Sequence, residues 1–282
     1  MNLGKFKINA IETGIFGLDG GSMFGIVPKA LWQRKYHQGD ELNRIPLAAR
    51  PILVQFDNRV LLIDTGNGNK FNDKFANLYN LDKEKSSILN ALKLQNIEAE
   101  QVTDVILTHL HFDHSGGATI IQDNQIVPTF PNAKYYVQKE QLAWAKNPTE
   151  KDSASFIPDN YEPLIEHNQI EIIDGEGELF YGISIIIAYG HTKAMQMVKI
   201  SDSDKSLYYL ADTIPTSAHL PFTFSMGFDN FPLKVINEKK HLLPQIYEEK
   251  AILFFEHDAF LQAATIKSTE KGFSVDEKID II

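Results

Sequence analysis

The fold of this chain is decided by the stretch Thr108-His109-Leu110-His111-Phe112-Asp113-His114-Ser115-Gly116-Gly117. Three imidazoles and one carboxylate, all of them candidate metal ligands, fall within six consecutive positions. His109 and His111 are two residues apart, so an extended backbone points both rings to the same side. The glycine pair then turns the chain, which lets Asp113 and His114 face a second point nearby. Keeping these polar groups close together is costly unless a cation compensates, and the stretch therefore predicts a metal site.

Further metal ligands are expected at the ends of later strands, because one loop cannot enclose a metal ion alone. An apolar run at residues 105–107 leads into the first stretch, and similar β-rich runs precede His191, Asp212 and His257. A sandwich of sheets presents functional groups at its rim, where its strands end. The combined set holds five of the nine histidines and two aspartates.

Composition limits the class of protein. The 282 residues are 43% hydrophobic and 23% charged, which is typical of a globular chain. A formal charge of −10 argues against a nucleic-acid partner, since such binding depends on neutralising phosphates. The absence of cysteine excludes disulfides and thiolate ligands. No apolar run reaches the roughly 20 residues of a spanning helix, so no membrane insertion is expected, and the polar N-terminus favours a cytoplasmic location.

The remaining pattern predicts a mixed α/β (α+β) protein with a single domain over residues 1–282. Two β-rich runs at 52–56 and 59–63 flank Asp57-Asn58, which indicates a tight hairpin. Helices are predicted at 86–95, 139–145 and 233–248, and further strands at 105–107, 134–137, 170–173, 183–188, 196–200, 207–210 and 252–255. This order favours two mainly antiparallel mixed sheets covered by helices, a four-layer αββα sandwich. Segments 22–50, 123–132 and 147–160 show no regular pattern.

The ordered motif resembles the metallo-β-lactamase superfamily. The His-x-His-x-Asp-His run is followed by His191, Asp212 and His257 at intervals of 77, 21 and 45 residues, in the order usual for that family. Asp64, in Leu62-Ile63-Asp64-Thr65-Gly66, matches the upstream Asp-x-Gly turn of the family. The resemblance covers most of the chain and implies the αββα metallo-β-lactamase fold with a dinuclear metal site.

The resemblance also implies the role of each ligand. One ion takes His109, His111 and His191; the other takes Asp113, His114 and His257; Asp212 bridges both. Asp64 orients a ligand imidazole by a hydrogen bond. Nitrogen and oxygen ligands suit two Zn²⁺ per chain, with manganese, iron or cobalt as alternatives. Two such ions roughly 3.5–4 Å apart hold a bridging hydroxide as nucleophile, so the expected reaction is hydrolysis.

Two segments bear on the substrate. Residues 19–32 look like the N-terminal loop of quorum-quenching N-acyl-homoserine lactone lactonases and of the related methyl parathion hydrolases. Residues 221–231 contain four phenylalanines, an apolar loop suited to an acyl chain. The predicted substrate-binding residues are Phe24, Trp32, Phe222 and Phe224, with ordinary core packing as the alternative. The predicted enzyme is therefore a carboxylic ester hydrolase that opens acyl lactones; the alternatives are an organophosphate triesterase, a broad esterase or a degenerate ligand-binding protein.

One position departs from the lactonase pattern. Several lactonases carry a tyrosine three residues after the bridging aspartate, where it binds the lactone carbonyl, and here that position is Pro215. The carbonyl-binding role is then either vacant or taken by His219. The alternative interpretation is that His219 is a histidine at the rim of the sandwich, hydrogen-bonded to the backbone. Asp113 and His219 are the predicted catalytic residues. The expected partner is a small acyl lactone, and a homodimer is left open.

Overall fold

The structure is a computed structural model that describes residues 1–203 and 205–281. The chain divides into two compact units. The first consists of Met1–Phe16 and Ala49–Gly175, and the second of Gly17–Ala48 and Glu176–Ile281. None of the helices in the described ranges has the length and apolar character needed to cross a membrane. That residues 1–282 act as one hydrolase domain stays a prediction.

The described residues form a series of strands and helices. The strands are β1 (Asn2–Leu3), β2 (Phe6–Ala10), β3 (Ile15–Asp19), β4 (Arg44–Ala48), β5 (Ile52–Phe56), β6 (Arg59–Ile63), β7 (Asp104–Ile106), β8 (Thr119–Gln122), β9 (Gln125–Pro128), β10 (Lys134–Gln138), β11 (Ile170–Ile173), β12 (Gly177–Phe180), β13 (Ile183–Ala188), β14 (Met195–Asp202), β15 (Lys205–Tyr209), β16 (Ile252–Phe254), β17 (Ala263–Thr269) and β18 (Gly272–Ile279). The α-helices are α1 (Gly20–Phe24), α2 (Lys29–Trp32), α3 (Asp73–Tyr79), α4 (Ile88–Lys93), α5 (Phe112–Ser115), α6 (Lys139–Lys146), α7 (Glu162–Glu166) and α8 (Pro232–Glu248). Short 3₁₀ turns cover Ala99–Gln101, Gly116–Ala118, Ser153–Ser155, Pro158–Asn160, Ala211–Thr213 and Ser217–His219.

The first unit contains a seven-stranded sheet in the order β1-β2-β5-β6-β7-β10-β11. The predicted hairpin is β5–β6, in register from Ile52↔Ile63 to Phe56↔Arg59. From β6 onward the pairings are parallel, so this sheet is less antiparallel than expected. The reason is that helices connect these strands, and a helical crossover returns the chain to the same end of the sheet. Since β6 and β7 run in the same direction, Asp64 and His109 follow them at the same edge.

Helix α4 shows why the predicted helix at 86–95 forms. Ser87 caps its N-terminus by accepting a hydrogen bond from the Asn90 backbone N–H at 3.3 Å. Ile88 and Leu92, four residues apart, bury the same face in the hydrophobic core of the first unit. The local pattern and the packing therefore agree.

The second unit contains a seven-stranded sheet in the order β12-β13-β14-β15-β16-β17-β18. β13 and β15 are both antiparallel to β14, and β15 is parallel to β16. β13, β15 and β16 therefore run in one direction and end at the same edge. The expected mixed α/β content with two large mixed sheets is confirmed. Segment 22–50, which had no clear pattern, contains α2 and β4.

Candidate metal centre

The first unit gathers four of the predicted ligands in one loop. His109 lies three residues beyond the end of β7, and α5 then carries Asp113 and His114 in its single turn. The Nε2 atom of His109 lies 3.0 Å from Nδ1 of His111. Nε2 of His114 lies 3.9 Å from Oδ1 of Asp113. All four side chains are buried, so the loop concentrates ligand atoms away from solvent.

Asp64 organises this loop from the end of β6. Its Oδ1 accepts a hydrogen bond from the Thr108 backbone N–H at 2.7 Å, and its Oδ2 accepts one from the Thr108 hydroxyl at 2.7 Å. Oδ2 also lies 2.9 Å from Nδ1 of His114. A carboxylate can only accept, so Nδ1 of His114 carries the hydrogen and Nε2 is left to bind a metal.

The backbone of the loop is held against residues 65–68. Both the N–H and the hydroxyl of Thr65 donate to the carbonyl of His114 at 2.8 Å. A Cβ atom on Gly116 would lie 2.0 Å from the carbonyl oxygen of Asn67, so the backbones approach too closely for any side chain there. The glycines that end the motif therefore serve this close packing as well as the turn.

The second unit gathers the other three predicted ligands. His191, Asp212 and His257 lie three residues beyond the ends of β13, β15 and β16 respectively. The Asp212 carboxylate lies between the two imidazoles: Oδ2 is 3.1 Å from Nε2 of His191, and Oδ1 is 3.1 Å from Nε2 of His257. All three side chains are buried.

Two further groups orient these imidazoles. Nδ1 of His191 lies 3.0 Å from Oδ1 of Asp229, whose Oδ2 accepts a hydrogen bond from the Met226 backbone N–H at 2.8 Å. Nδ1 of His257 lies 2.8 Å from the carbonyl oxygen of Ala48. Sequence reasoning missed Asp229. Its signal was an aspartate inside the apolar run 221–231, where a buried carboxylate needs a partner.

The donor set fits a divalent cation. Asp229 and the Ala48 carbonyl face Nδ1 of His191 and His257, so Nε2 is the ring nitrogen that meets the Asp212 carboxylate oxygens at 3.1 Å. In an imidazole with its hydrogen on Nδ1, Nε2 presents a lone pair, and a cation between it and the carboxylate oxygen would be bound by both atoms. Two ligands of one tetrahedral zinc lie about 3.3 Å apart, close to these separations. Each unit thus contains buried histidines and aspartates, whose nitrogen and oxygen atoms suit such a cation.

His219, the predicted carbonyl-binding residue, has both ring nitrogens hydrogen-bonded within the second unit. Nε2 donates to the carbonyl oxygen of Met23 at 2.8 Å, and Nδ1 accepts from the Thr216 hydroxyl at 2.7 Å. The ring stacks on Phe24 with centroids 4.7 Å apart. Burial is the main cause that lowers the pKa of His219 to about 3. This geometry favours the alternative of a structural histidine.

We expect His219→Phe to change stability more than turnover. At neutral pH the variant should melt lower, because the Met23 carbonyl and the Thr216 hydroxyl lose their partner. The pKa of His219 in the folded protein is below its ordinary value of 6.5. Between these two pH values the unfolded chain binds one more proton at this residue than the folded chain does, so lowering the pH destabilises wild type. The variant should show a shallower loss of stability from pH 6.5 downward in thermal scans. His241→Phe, at an exposed position, is the control. If His219→Phe instead lowered kcat about 10²-fold with unchanged stability, the oxyanion role of His219 would be restored.

The predicted substrate-binding aromatics pack within the second unit. Phe24 and Trp32 are fully buried and stack with ring centroids 5.2 Å apart, and Phe224 meets Phe24 edge-on at 6.1 Å. Phe222 is separate and packs against Phe273 at 6.0 Å. These contacts favour the core-packing alternative. Pro215, at the position of the family tyrosine, accepts a hydrogen bond from the His257 backbone N–H at 3.0 Å.

The first unit contains an aromatic cavity that sequence reasoning missed. It measures about 230 Å³, and Phe71, Phe75, Phe112 and Ile157 supply its apolar lining. Phe112, which stands between two predicted ligands in the sequence, meets Phe75 edge-on at 5.1 Å. The signal was aromatic spacing: Phe71, Phe75 and Tyr79 recur every four residues around α3.

Comparison with known proteins agrees with this fold and site. Residues 45–271 match the metallo-beta-lactamase superfamily. An N-acyl homoserine lactonase of Bacillus thuringiensis is 28% identical over 220 residues, which cover 73% of this chain and 79% of the relative. A probable metal-dependent hydrolase from Staphylococcus aureus superposes with a TM-score of 0.89 at 28% identity and covers 99% of this chain and 98% of its own.

A dizinc quorum-quenching lactonase with a bound acyl-homoserine product shares the fold. Its TM-score is 0.81 at 21% identity, and the match covers 99% of this chain and 96% of that one. The predicted metallo-β-lactamase fold is confirmed. The chain belongs to the metallo-β-lactamase superfamily and is a metal-dependent hydrolase of that family.

Proposed function

We propose that this hydrolase opens the lactone ring of N-acyl-homoserine lactones at a dinuclear, zinc-type centre. The proposed ligand set follows the family resemblance. By that resemblance His109, His111 and His191 would hold one ion, Asp113, His114 and His257 would hold the other, and Asp212 would serve both. The similarity to curated lactonases supports this substrate class.

The observation that carries the proposal is the aromatic cavity beside the ligand loop. Phe112 lines it and lies in the single turn of α5, which also carries the proposed ligands Asp113 and His114. A volume of about 230 Å³ with phenylalanine walls suits a hydrocarbon chain. A phosphotriester has no long hydrocarbon chain to extend along such a cavity. The acyl chain is therefore proposed to lie among Phe71, Phe75 and Phe112 instead of beside Phe24 and Trp32.

The chain contributes orientation to the reaction. When bound, two divalent ions lower the pKa of a water and polarise the lactone carbonyl. Asp64 holds His114, and Asp229 holds His191, in the tautomer that directs Nε2 to a metal. Asp113 is the proposed proton carrier. It takes the proton that the attacking water gives up and delivers it to the ring oxygen, which becomes a hydroxyl when the acyl C–O bond breaks and the hydroxy acid forms. His219 is assigned a packing role.

A hydrolysis panel on the metal-loaded protein tests the proposal. It compares N-hexanoyl- and N-decanoyl-homoserine lactones with a paraoxon-type triester, a thioester and a simple aryl ester. We expect the acyl lactones to have the highest kcat/KM, and chelation to remove the activity until metal is restored. A faster triester would favour the organophosphate alternative, and equal rates for lactones and simple esters would contradict a lactonase. Metal binding without any turnover would indicate a ligand-binding protein.

Phe75→Ala should raise KM in proportion to acyl-chain length. Each buried methylene contributes about 0.8 kcal/mol, so KM for the decanoyl lactone should rise at least about tenfold more than KM for the butanoyl lactone. The rate constant kcat should change little, because chain contacts bind substrate and transition state alike. Phe222→Ala, at a predicted substrate residue in the other unit, is the control and should leave the chain-length profile unchanged. The reverse result would return the acyl site to the residues predicted from sequence.

A further inference from the structure

The side chain of Asn67 ends in a buried amide, and the residue lines the aromatic cavity. Asn67 is 7% exposed, and neither its Nδ2 nor its Oδ1 atom has a hydrogen-bond partner within the residues that the structure describes. It lines the 230 Å³ cavity together with Phe71, Phe75 and Phe112. Buried polar groups in native proteins are almost always hydrogen-bonded, so an amide in this position needs a reason.

The backbone segment that carries Asn67 is held in place by close packing. A Cβ atom on Gly68 would lie 2.2 Å from the carbonyl oxygen of Gly116, and one on Gly116 would lie 2.0 Å from that of Asn67. Gly117 also donates its N–H to the carbonyl of Gly66 at 3.2 Å. The segment that carries Asn67 is therefore packed directly against the ligand loop, which fixes the point of the backbone from which the side chain extends.

Other polar groups at the cavity are already engaged. The Lys70 ammonium donates to the carbonyl oxygens of Gly116 and Thr119, and Asp159 offsets its positive charge. The Asn72 side chain caps α3 by accepting from the Phe75 backbone N–H at 2.9 Å. Because these groups leave little net charge, the cavity suits a neutral ligand. The Asn67 amide offers it two N–H donors and one acceptor.

We propose that Asn67 hydrogen-bonds the amide group of the substrate and makes the site selective for N-acyl lactones over lactones that lack an amide. A secondary amide attached to a hydrocarbon chain presents one donor and one acceptor beside an apolar tail. It therefore complements a primary amide set among phenylalanine rings. This assignment rests on the proposed lactonase function and names the group that recognises its substrate.

Asn67→Leu tests the assignment by removing the donor and acceptor while keeping the branched shape and the number of side-chain heavy atoms. The two substrates are N-hexanoyl-homoserine lactone and a γ-alkyl lactone of similar length without an amide. We expect kcat/KM for the acyl lactone to fall about tenfold or more, because a hydrogen bond to a buried partner is lost. The amide-free lactone should be opened as fast as before or faster. Asn69→Leu, the same change at an exposed position two residues away, should leave the ratio unaltered.

Stability and a binding measurement complete the test. Replacing an unpartnered buried amide by leucine should leave the melting temperature unchanged or raised, and Asn67→Ala serves as a second variant. An equal loss on both lactones, or no loss on either, would overturn the assignment. If wild type opens neither lactone, the proposed function fails, while calorimetry with N-butylhexanamide still decides the role of Asn67. If wild type binds N-butylhexanamide and Asn67→Leu binds it about tenfold more weakly, the assignment of Asn67 is supported. If the two proteins bind it equally, or wild type does not bind it, the assignment is rejected.

Discussion

Asp212→Ala is expected to leave the protein with substoichiometric metal and to lower the rate of hydrolysis, measured on the proposed lactone substrate, by about 10³-fold or more. The structure places its two carboxylate oxygens 3.1 Å from Nε2 of His191 and of His257. Without this carboxylate, two of the three proposed ligands of the second unit remain, and both are imidazoles. Each proposed ion loses a ligand and their mutual repulsion is no longer reduced, which removes several kcal/mol of transition-state stabilisation.

Metal analysis and kinetics on the same preparation check this result. Asp276→Ala is the matched control, since it removes a surface carboxylate whose partner is Lys267 at 3.3 Å. The control should retain full metal and full rate. An Asp212→Ala protein that binds two ions per chain and turns over at a near-normal rate would show that Asp212 does not bridge them.

Asp64→Ala should produce the second largest effect, on both stability and metal affinity. It leaves the Thr108 N–H and hydroxyl without their acceptor in a fully buried site. Two unsatisfied buried groups cost about 3 kcal/mol or more of the free energy of unfolding. Nδ1 of His114 loses its acceptor as well, so metal affinity should fall about 10–100-fold. Denaturant unfolding and competition with a chelator measure the two effects separately.

The backbone at Asp64 calls for matched controls. Its φ of 61° is left-handed, a conformation in which alanine is strained and asparagine is tolerated. Asp57, at the tip of the β5–β6 hairpin, has a φ of 48° and an exposed side chain. Asp57→Ala therefore measures mainly the backbone cost, because the side-chain contact it removes is an exposed ion pair with Lys5 at 3.5 Å. Asp64→Asn removes the charge while keeping the conformation. Equal effects at Asp57 and Asp64 would reduce the role of Asp64 to its backbone.

The sequence by itself determined where the strands end, and with them the positions of the candidate ligands. Runs such as residues 183–188 and 252–255 are short and apolar, and they are bounded by polar residues that cannot continue a buried strand. Both the β5–β6 hairpin and the cap of α4 depend on neighbours within a few residues. Interactions of this kind depend on residues that are close in the chain, so His109, His191, Asp212 and His257 could be predicted as ligands from the sequence.

Only the tertiary structure decided what surrounds those ligands. Asp229 meets His191 across 38 residues, and the Ala48 carbonyl meets His257 across 209. The same holds for His219, whose carbonyl partner Met23 is 196 residues away. The sequence does not show which aromatic rings will be buried in the core and which will line a cavity. Packing buried Phe24 and Trp32 and left a cavity at Phe75 and Phe112, because burial depends on contacts between segments that are distant in the chain.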